Sequence, residues 1–349
     1  MRGTVFHGPY DITLRDDLPE PQVRDRRDAV VRVTASAICG TDLHPYRGEL
    51  PGFSPGTVLG HEFAGIVVDA GDEVPCRPGQ RVVASDLVAC GRCRMCRLGR
   101  HYQCPEVTLF GYSTVVGRPI DGGQAEYVRI PYADVVLAPC PDGLTDEQAL
   151  FTGDVLATGY CAAVRAEIPL GGTVAVVGGG AVGMLAGMCA LARGAASVVL
   201  ADPSEARRAA AAAQGFTVAA PAELAEVVAE VSPGRGADSV IEAVGTDAAL
   251  TLAVETAAAQ GTVVAVGAHH STAAPLDTGR AFARELTLRF VVGDPIACRD
   301  EVMALVRTGR VDPTAVVSHR LPLADVVHGY ELFHRREATK VVLACGDIC

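Results

Sequence analysis

The stretch CGRCRMCRLGRHYQCP, Cys90 to Pro105, sets four cysteines within fifteen residues in the spacing C-x2-C-x2-C-x7-C. Thiols this close can cradle an iron–sulfur cluster, hold zinc, or pair as disulfides. Bacterial ferredoxins share the first three cysteines and the closing Cys-Pro, but with only about three residues in the last gap. The seven-residue gap lets Cys104 return to one metal already held by Cys90, Cys93 and Cys96. Four thiolates fill the zinc tetrahedron and leave no position for a substrate. A structural zinc is therefore the expectation, with a cluster or a metal-free loop as alternatives. Arg92, Arg94, Arg97 and Arg100 are interleaved with the cysteines and would offset the net charge of the site.

A second set of candidate ligands is dispersed: Cys39 in AICGTDLH, His61 and Glu62 in LGHEFAG, and Asp154 in FTGDVLATGY. Sulfur, nitrogen and oxygen donors drawn from distant segments suit a catalytic zinc with an open position. Spacing alone does not separate them from a buried cysteine, a core histidine and a solvated aspartate. A third pattern is Gly178-Gly-Gly180-Ala-Val-Gly183, which fits G-x-G-x-x-G, with Asp202 nineteen residues past its last glycine. In a dinucleotide site Gly178 permits the tight turn and Gly180 lets the backbone approach a pyrophosphate. Gly183 lets helix and strand pack closely. Asp202 would accept hydrogen bonds from the adenosine ribose and repel a 2′-phosphate, favouring NAD over NADP; its bland alternative is a cap for the helix beginning at Ser204.

These residues need elements to position them. The chain has 349 residues, enough for two domains, and its 49% hydrophobic and 20% charged composition is that of a globular protein. A formal charge of −11 argues against nucleic-acid or anionic-membrane partners. The start, MRGTVFHGPYDITLRDD, lacks an apolar signal-type run, and twelve cysteines then imply a reducing compartment, so a soluble cytoplasmic protein is expected. Ile168 to Ala192 is uncharged and long enough to cross a bilayer, but its glycines and change of period read as buried strand, turn and buried helix.

Before about residue 150, β-branched runs bounded by turn residues (Ala29–Ile38, Glu62–Gly71, Gln80–Ser85) predict an irregular β-barrel. Thereafter Thr173–Gly178, Ser197–Asp202, Asp238–Gly245 and Thr262–Gly267 are apolar strands separated by helical segments such as Ser204–Gly215. That alternation predicts a parallel sheet covered on both faces. The expected domains are 1–154, with a zinc lobe over about 86–106, then 155–293, and a segment 294–349 that rejoins the first domain through the strand-like tail EATKVVLAC.

In the order CGTDLH, PGTVLGHEFAGIV, the four-cysteine lobe, DGGQAEYVRIP, the glycine motif, PGRGADSVIEAVG and the tail, the chain resembles the zinc-dependent medium-chain dehydrogenase/reductase superfamily, the alcohol dehydrogenase family. The phrasing around GHE, GGQAEY and TGDVLATGY is similar to its glutathione-independent formaldehyde dehydrogenase branch. The resemblance implies a GroES-like catalytic domain beside a doubly wound Rossmann domain. It implies a catalytic zinc on Cys39, His61 and Asp154, where the classical members carry a cysteine at the last position; Glu62 lies near the metal and is sometimes a ligand. Two zincs per chain and a homodimer or homotetramer follow from it. Thr41 and His44 match the family's proton relay. Coenzyme contacts are implied at Thr158, Gly178, Gly180, Val182, Gly183, Asp202, Val244, Val266 and Lys340, the last as a basic pyrophosphate contact whose alternative is a surface lysine.

The expected chemistry is hydride transfer between a primary or secondary alcohol, or its aldehyde or ketone, and NAD(H). Two alternatives keep the fold. In one, tightly bound NAD serves aldehyde dismutation or a non-redox step. In the other, the protein is a non-catalytic binder on an inherited scaffold. Tyr46, Phe53, Leu109 and Phe110 are candidates for the substrate pocket and equally for the core; His269 and His270 follow a strand expected beside the nicotinamide.

Overall fold

A computed structural model describes residues 1–274 and 276–346. The chain forms two compact units. One comprises Met1–Asp154, Asp294–Arg307 and Val317–Cys349, the other Val155–Gly293 and Thr308–Val316. The expected return of the C-terminal segment to the first unit differs in one stretch, since Thr308–Val316 groups with the second. Its Pro313–Val316 turn packs on the helix Ala181–Ala192, a contact with no local signature.

The first unit is organised by the ten-residue strand Ala29–Ile38. One edge pairs along its length with Glu62–Ala70. The other edge is shared: its first half pairs with Tyr127–Ile130 and its second half with Val341–Ala344. Arg81–Ala84 and Leu137–Pro139 extend the sheet beyond Glu62–Ala70, and His319–Pro322 extends it beyond Val341–Ala344. Val31, Val33, Ile38, Phe63, Val67, Ile130 and Leu343 are buried in one core. Removing such β-branched and aromatic side chains from water is the main stabilising term for the sheet.

In the second unit six parallel strands lie in the order Thr217–Ala219, Ser197–Ala201, Thr173–Val177, Ala237–Glu242, Ala257–Ala265, Thr287–Phe290. The order reverses between Thr173–Val177 and Ala237–Glu242, the kind of switch point at which open α/β sheets bind ligands. The uncharged run Ile168–Ala192 resolves into the strand Thr173–Val177 and the helix Ala181–Ala192. No helix among the described residues is long and apolar enough to cross a membrane.

Candidate metal centre and coenzyme site

Strand register assembles the first site. Cys39 follows Ile38, Glu62 pairs with Ala37, and Lys340 precedes Val341, the partner of Ile38. Three adjacent strands thus deliver Cys39, His61–Glu62 and Lys340 at one end of the sheet. The fourth segment arrives through Asp86, whose backbone N–H donates to Gly153 O at 2.9 Å and fixes the turn before Asp154. Cys39, His61, Glu62 and Asp154 are all buried, and one donor atom from each lies within 4.8 Å of the others.

A tetrahedral zinc with ligands at about 2.0–2.3 Å sets its donors about 3.3–3.8 Å apart. Cys39 Sγ lies 3.8 Å and His61 Nε2 3.3 Å from Asp154 Oδ2. His61 Nε2 is buried without a hydrogen bond, as an atom aimed at an ion would be. The residues therefore fit a zinc ion, with one thiolate, one imidazole and one carboxylate.

Supporting contacts run outward from the ligands. His61 Nδ1 faces Asp42 Oδ1 at 3.2 Å, and Asp42 Oδ2 accepts from Cys39 N at 2.9 Å and Gln124 Nε2 at 3.3 Å. Tyr330 OH donates to Gln124 Oε1 at 3.0 Å. Asp42 and Gln124 stand inside the motifs CGTDLH and DGGQAEY, yet neither figured among the expected site residues; both are fully buried polar groups. Burial disfavours a charged His61, but Asp42 and Asp154 outweigh it and hold the ring's pKa well above the ordinary histidine value. Burial lifts the Cys39 thiol, which Lys340 opposes. Burial likewise raises the Asp86 carboxyl, with the nearby Asp154 adding to it, while Tyr102 OH donates to Asp86 Oδ2 at 2.7 Å.

Thr41 Oγ1 is 3.7 Å from Cys39 Sγ, and His44 Nδ1 is held 2.6 Å from Glu49 Oε2 at the edge of solvent. Lys340 departs from expectation. It is not a surface lysine: it is 1% exposed, with Nζ 2.5 Å from Glu62 Oε2. Burial works against its charge, but Glu62 holds its pKa above the ordinary lysine value; burial in turn pushes the Glu62 carboxyl up to about 7 against the pull of Lys340. Tyr46, Phe53, Leu109 and Phe110 are buried core residues.

The four-cysteine lobe forms a second cluster, again with donors within 4.8 Å and with Cys90 and Cys104 sulfurs 3.6 Å apart. Backbone N–H groups of Cys96 and Cys90 donate to Cys93 Sγ and Cys104 Sγ at 3.4 and 3.5 Å. The Cys96 amide brings the Cys93 thiol down to about 7, whereas burial pushes Cys96 and Cys104 up. All cysteines among the described residues are free of disulfides. The four interleaved arginines are exposed, with Arg92 turned to Glu73 at 3.1 Å. His101 ties the lobe to Asp294 through its backbone N–H at 2.7 Å and its Nδ1 at 2.9 Å.

In the second unit the glycine turn follows Thr173–Val177 and opens the helix Ala181–Ala192. Gly178 has φ +105°, a left-handed conformation that favours glycine. A Cβ on Gly183 would collide with Gly178 O, whereas one on Gly180 would meet open space. The helix's first-turn N–H groups and dipole form a cradle for a phosphate. Asp202 Oδ2 accepts from Gly179 N and Oδ1 from Ser204 N, both at 2.8 Å, so the carboxylate joins the glycine turn to the next helix. Thr158 and Val182 are half-buried, and Thr158 lies against Gly293. Glu242, fully buried, accepts from Val244 N and Gly245 N at 2.7 Å and faces His269 Nε2 at 2.9 Å. That clamp presents Val244, 48% exposed, beside half-buried Val266.

Residues 25–142 match the family described as alcohol dehydrogenase GroES-like domain, and residues 181–308 match the zinc-binding dehydrogenase family. A protein of Mycobacterium tuberculosis described as a "probable zinc-binding alcohol dehydrogenase" is 37% identical over 98% of this chain and 87% of its own length. The alcohol dehydrogenase of Cupriavidus necator is 35% identical over 95% of each chain. Among solved structures, the alcohol dehydrogenase from Thermus sp. ATN1 superposes with a TM-score of 0.94 at 36% identity, covering 99% of both chains. A zinc-binding dehydrogenase from Sinorhizobium meliloti, solved with NADP, gives a TM-score of 0.85 at 30% identity over 98% of both.

Proposed function

The chain belongs to the zinc-dependent medium-chain dehydrogenase/reductase superfamily, the alcohol dehydrogenase family, and on that premise we propose that it transfers a hydride between a primary or secondary alcohol and NAD(H). One observation carries the reading. A thiolate, an imidazole and a carboxylate from distant segments meet, buried, at tetrahedral-ligand spacing. We assign Cys39, His61 and Asp154 as the ligands of a catalytic zinc and Cys90, Cys93, Cys96 and Cys104 as those of a structural one. Asp154 is also the residue that supports the formaldehyde-dehydrogenase-like branch.

When bound, the metal supplies Lewis acidity that makes an alcohol proton removable near neutrality, and the nicotinamide supplies the hydride acceptor. The chain's own residues manage the rest. Asp42 holds the His61 ring in place. Thr41, next to Cys39, would accept the hydroxyl proton as it gives up its own, and His44, oriented by Glu49, would release a proton to solvent at the far end of the relay. The glycine turn and the amides of Ala181–Ala192 receive the pyrophosphate. Asp202, which also faces Arg207 at 3.6 Å through Oδ2, would accept from the ribose hydroxyls and repel a 2′-phosphate, which favours NAD over NADP.

We also propose a cytoplasmic homodimer or homotetramer. The strand Thr287–Phe290 is the edge of its sheet, and Phe290 and Val292 nearby are 64% and 61% exposed. Bare apolar edges of this kind are usually covered. The test is a panel of alcohols with NAD+ or NADP+, followed by NADH absorbance with zinc counted on the same sample. Two zincs per chain, one of them lost with activity in Cys39→Ser, is the expected result. One zinc per chain, retained in Cys39→Ser, sinks the assignment. Aldehyde conversion to alcohol and acid without net NADH would instead mark dismutation.

A further inference from the structure

The chain carries 29 arginines and a single lysine, Lys340. That one lysine is buried at the metal centre, its Nζ 2.5 Å from Glu62 Oε2 and 5.8 Å from the Phe151 ring centroid. A buried ammonium is costly unless paired. An arginine would bring a broader, planar, multi-donor head to the same place, whereas lysine is a compact point charge. A chain that uses arginine everywhere else has lysine where one carboxylate must be neutralised beside other ligands.

The charges balance, with Glu62 the group that Lys340 touches and Cys39 and Asp154 within reach of the same ammonium. A divalent metal is neutralised by Cys39 thiolate and Asp154 carboxylate, with His61 neutral. Glu62 carboxylate is neutralised by Lys340. Distance does not keep Glu62 off the metal, because its donor lies within the same 4.8 Å cluster as those of Cys39, His61 and Asp154. Four protein donors would close the tetrahedron and leave no position for a substrate. We propose that Lys340 is a positioning residue that withholds Glu62 from the metal, so that Asp154 serves as the carboxylate ligand and the fourth position stays open.

This rests on Cys39, His61 and Asp154 being the ligands. The test uses the full chain with cobalt at the catalytic site, reading its visible spectrum during imidazole titration and the rate of metal loss to a chelator. Wild type should respond to imidazole. Lys340→Met should lose that response, release metal at least tenfold more slowly and lose activity at least a hundredfold, because Glu62 now closes the site. Glu62→Gln leaves the ammonium unpaired beside the dication and should release metal at least tenfold faster. The double variant, which buries no lone charge, should regain the imidazole response and a release rate within tenfold of wild type. A folded Lys340→Met that still binds imidazole, or sheds metal faster, overturns the proposal. If Lys340→Met does not fold, an unchanged or slower release in Glu62→Gln overturns it. Cobalt retained in Cys39→Ser removes the ligand reading beneath it, a different result from any of these.

Discussion

At the scale of single residues, His61 shows how a proposed metal ligand is braced by what stands behind it. Asp42 faces its Nδ1 and also accepts from Cys39 N, so one carboxylate steadies two ligands. Asp42→Asn keeps the shape but removes the charge, and loss of a carboxylate that orients a metal-binding histidine weakens metal binding by about 10–100-fold. Chelator competition should show that loss at the catalytic metal while the four-cysteine metal stays put. The role proposed for Asp202 in coenzyme choice is equally local. Asp202→Ser should cut kcat/KM for NAD about tenfold to a hundredfold, the worth of charge-assisted hydrogen bonds, and narrow the preference over NADP. An unchanged coenzyme ratio would show the carboxylate only braces Gly179 and Ser204. The clustering of Cys39 with His61 and the place of Asp202 beside the glycine turn were legible because each sits in a motif whose neighbours constrain it. Lys340 was not, because nothing in ATKVVL states that Val341 will pair with Ile38 and carry the lysine inside.

At the scale of elements, the cysteine lobe is a local structure held by local ligands, and so its spacing could be read directly. Leu87, Ala89, Cys96 and Cys104 make its small core, too little apolar surface to order the segment without a metal. Cys93→Ser should therefore lose the structural zinc and lower the unfolding midpoint, with activity per folded molecule falling less than stability does. A stable, fully zinc-loaded but inactive variant would contradict this. The thiols also fix a pH dependence. Only thiolates bind zinc, so protons on Cys96 and Cys104, whose pKa values burial raises, must leave on loading. Release of at least these two protons weakens binding by about a hundredfold or more per pH unit as pH falls. Zinc loss from the lobe followed against pH should show that slope, and a flat profile would contradict it. The arginines were placed near the ligands by sequence, but they face water, because a helical turn as short as Arg94–Arg97 buries only Cys96.

At the scale of the molecule, each unit's fold followed from the period of its apolar residues, parallel where helices intervene and antiparallel where turns do. The assignment of Thr308–Val316 did not, since it depends on packing against a helix more than a hundred residues earlier. Association should be visible by light scattering, and a charge on the exposed edge, Phe290→Asp, should shift the protein to smaller species without loss of either metal. A variant of unchanged mass would place the interface elsewhere. The register that gathers the catalytic centre also sets a timetable. Lys340 is made 186 residues after Asp154, about 10–40 s at ordinary elongation rates. Until then the stretch of Ala29–Ile38 that receives Val341–Ala344 has no partner on that edge, so the cluster is completed only when the C-terminal strand docks and brings the lysine to Glu62.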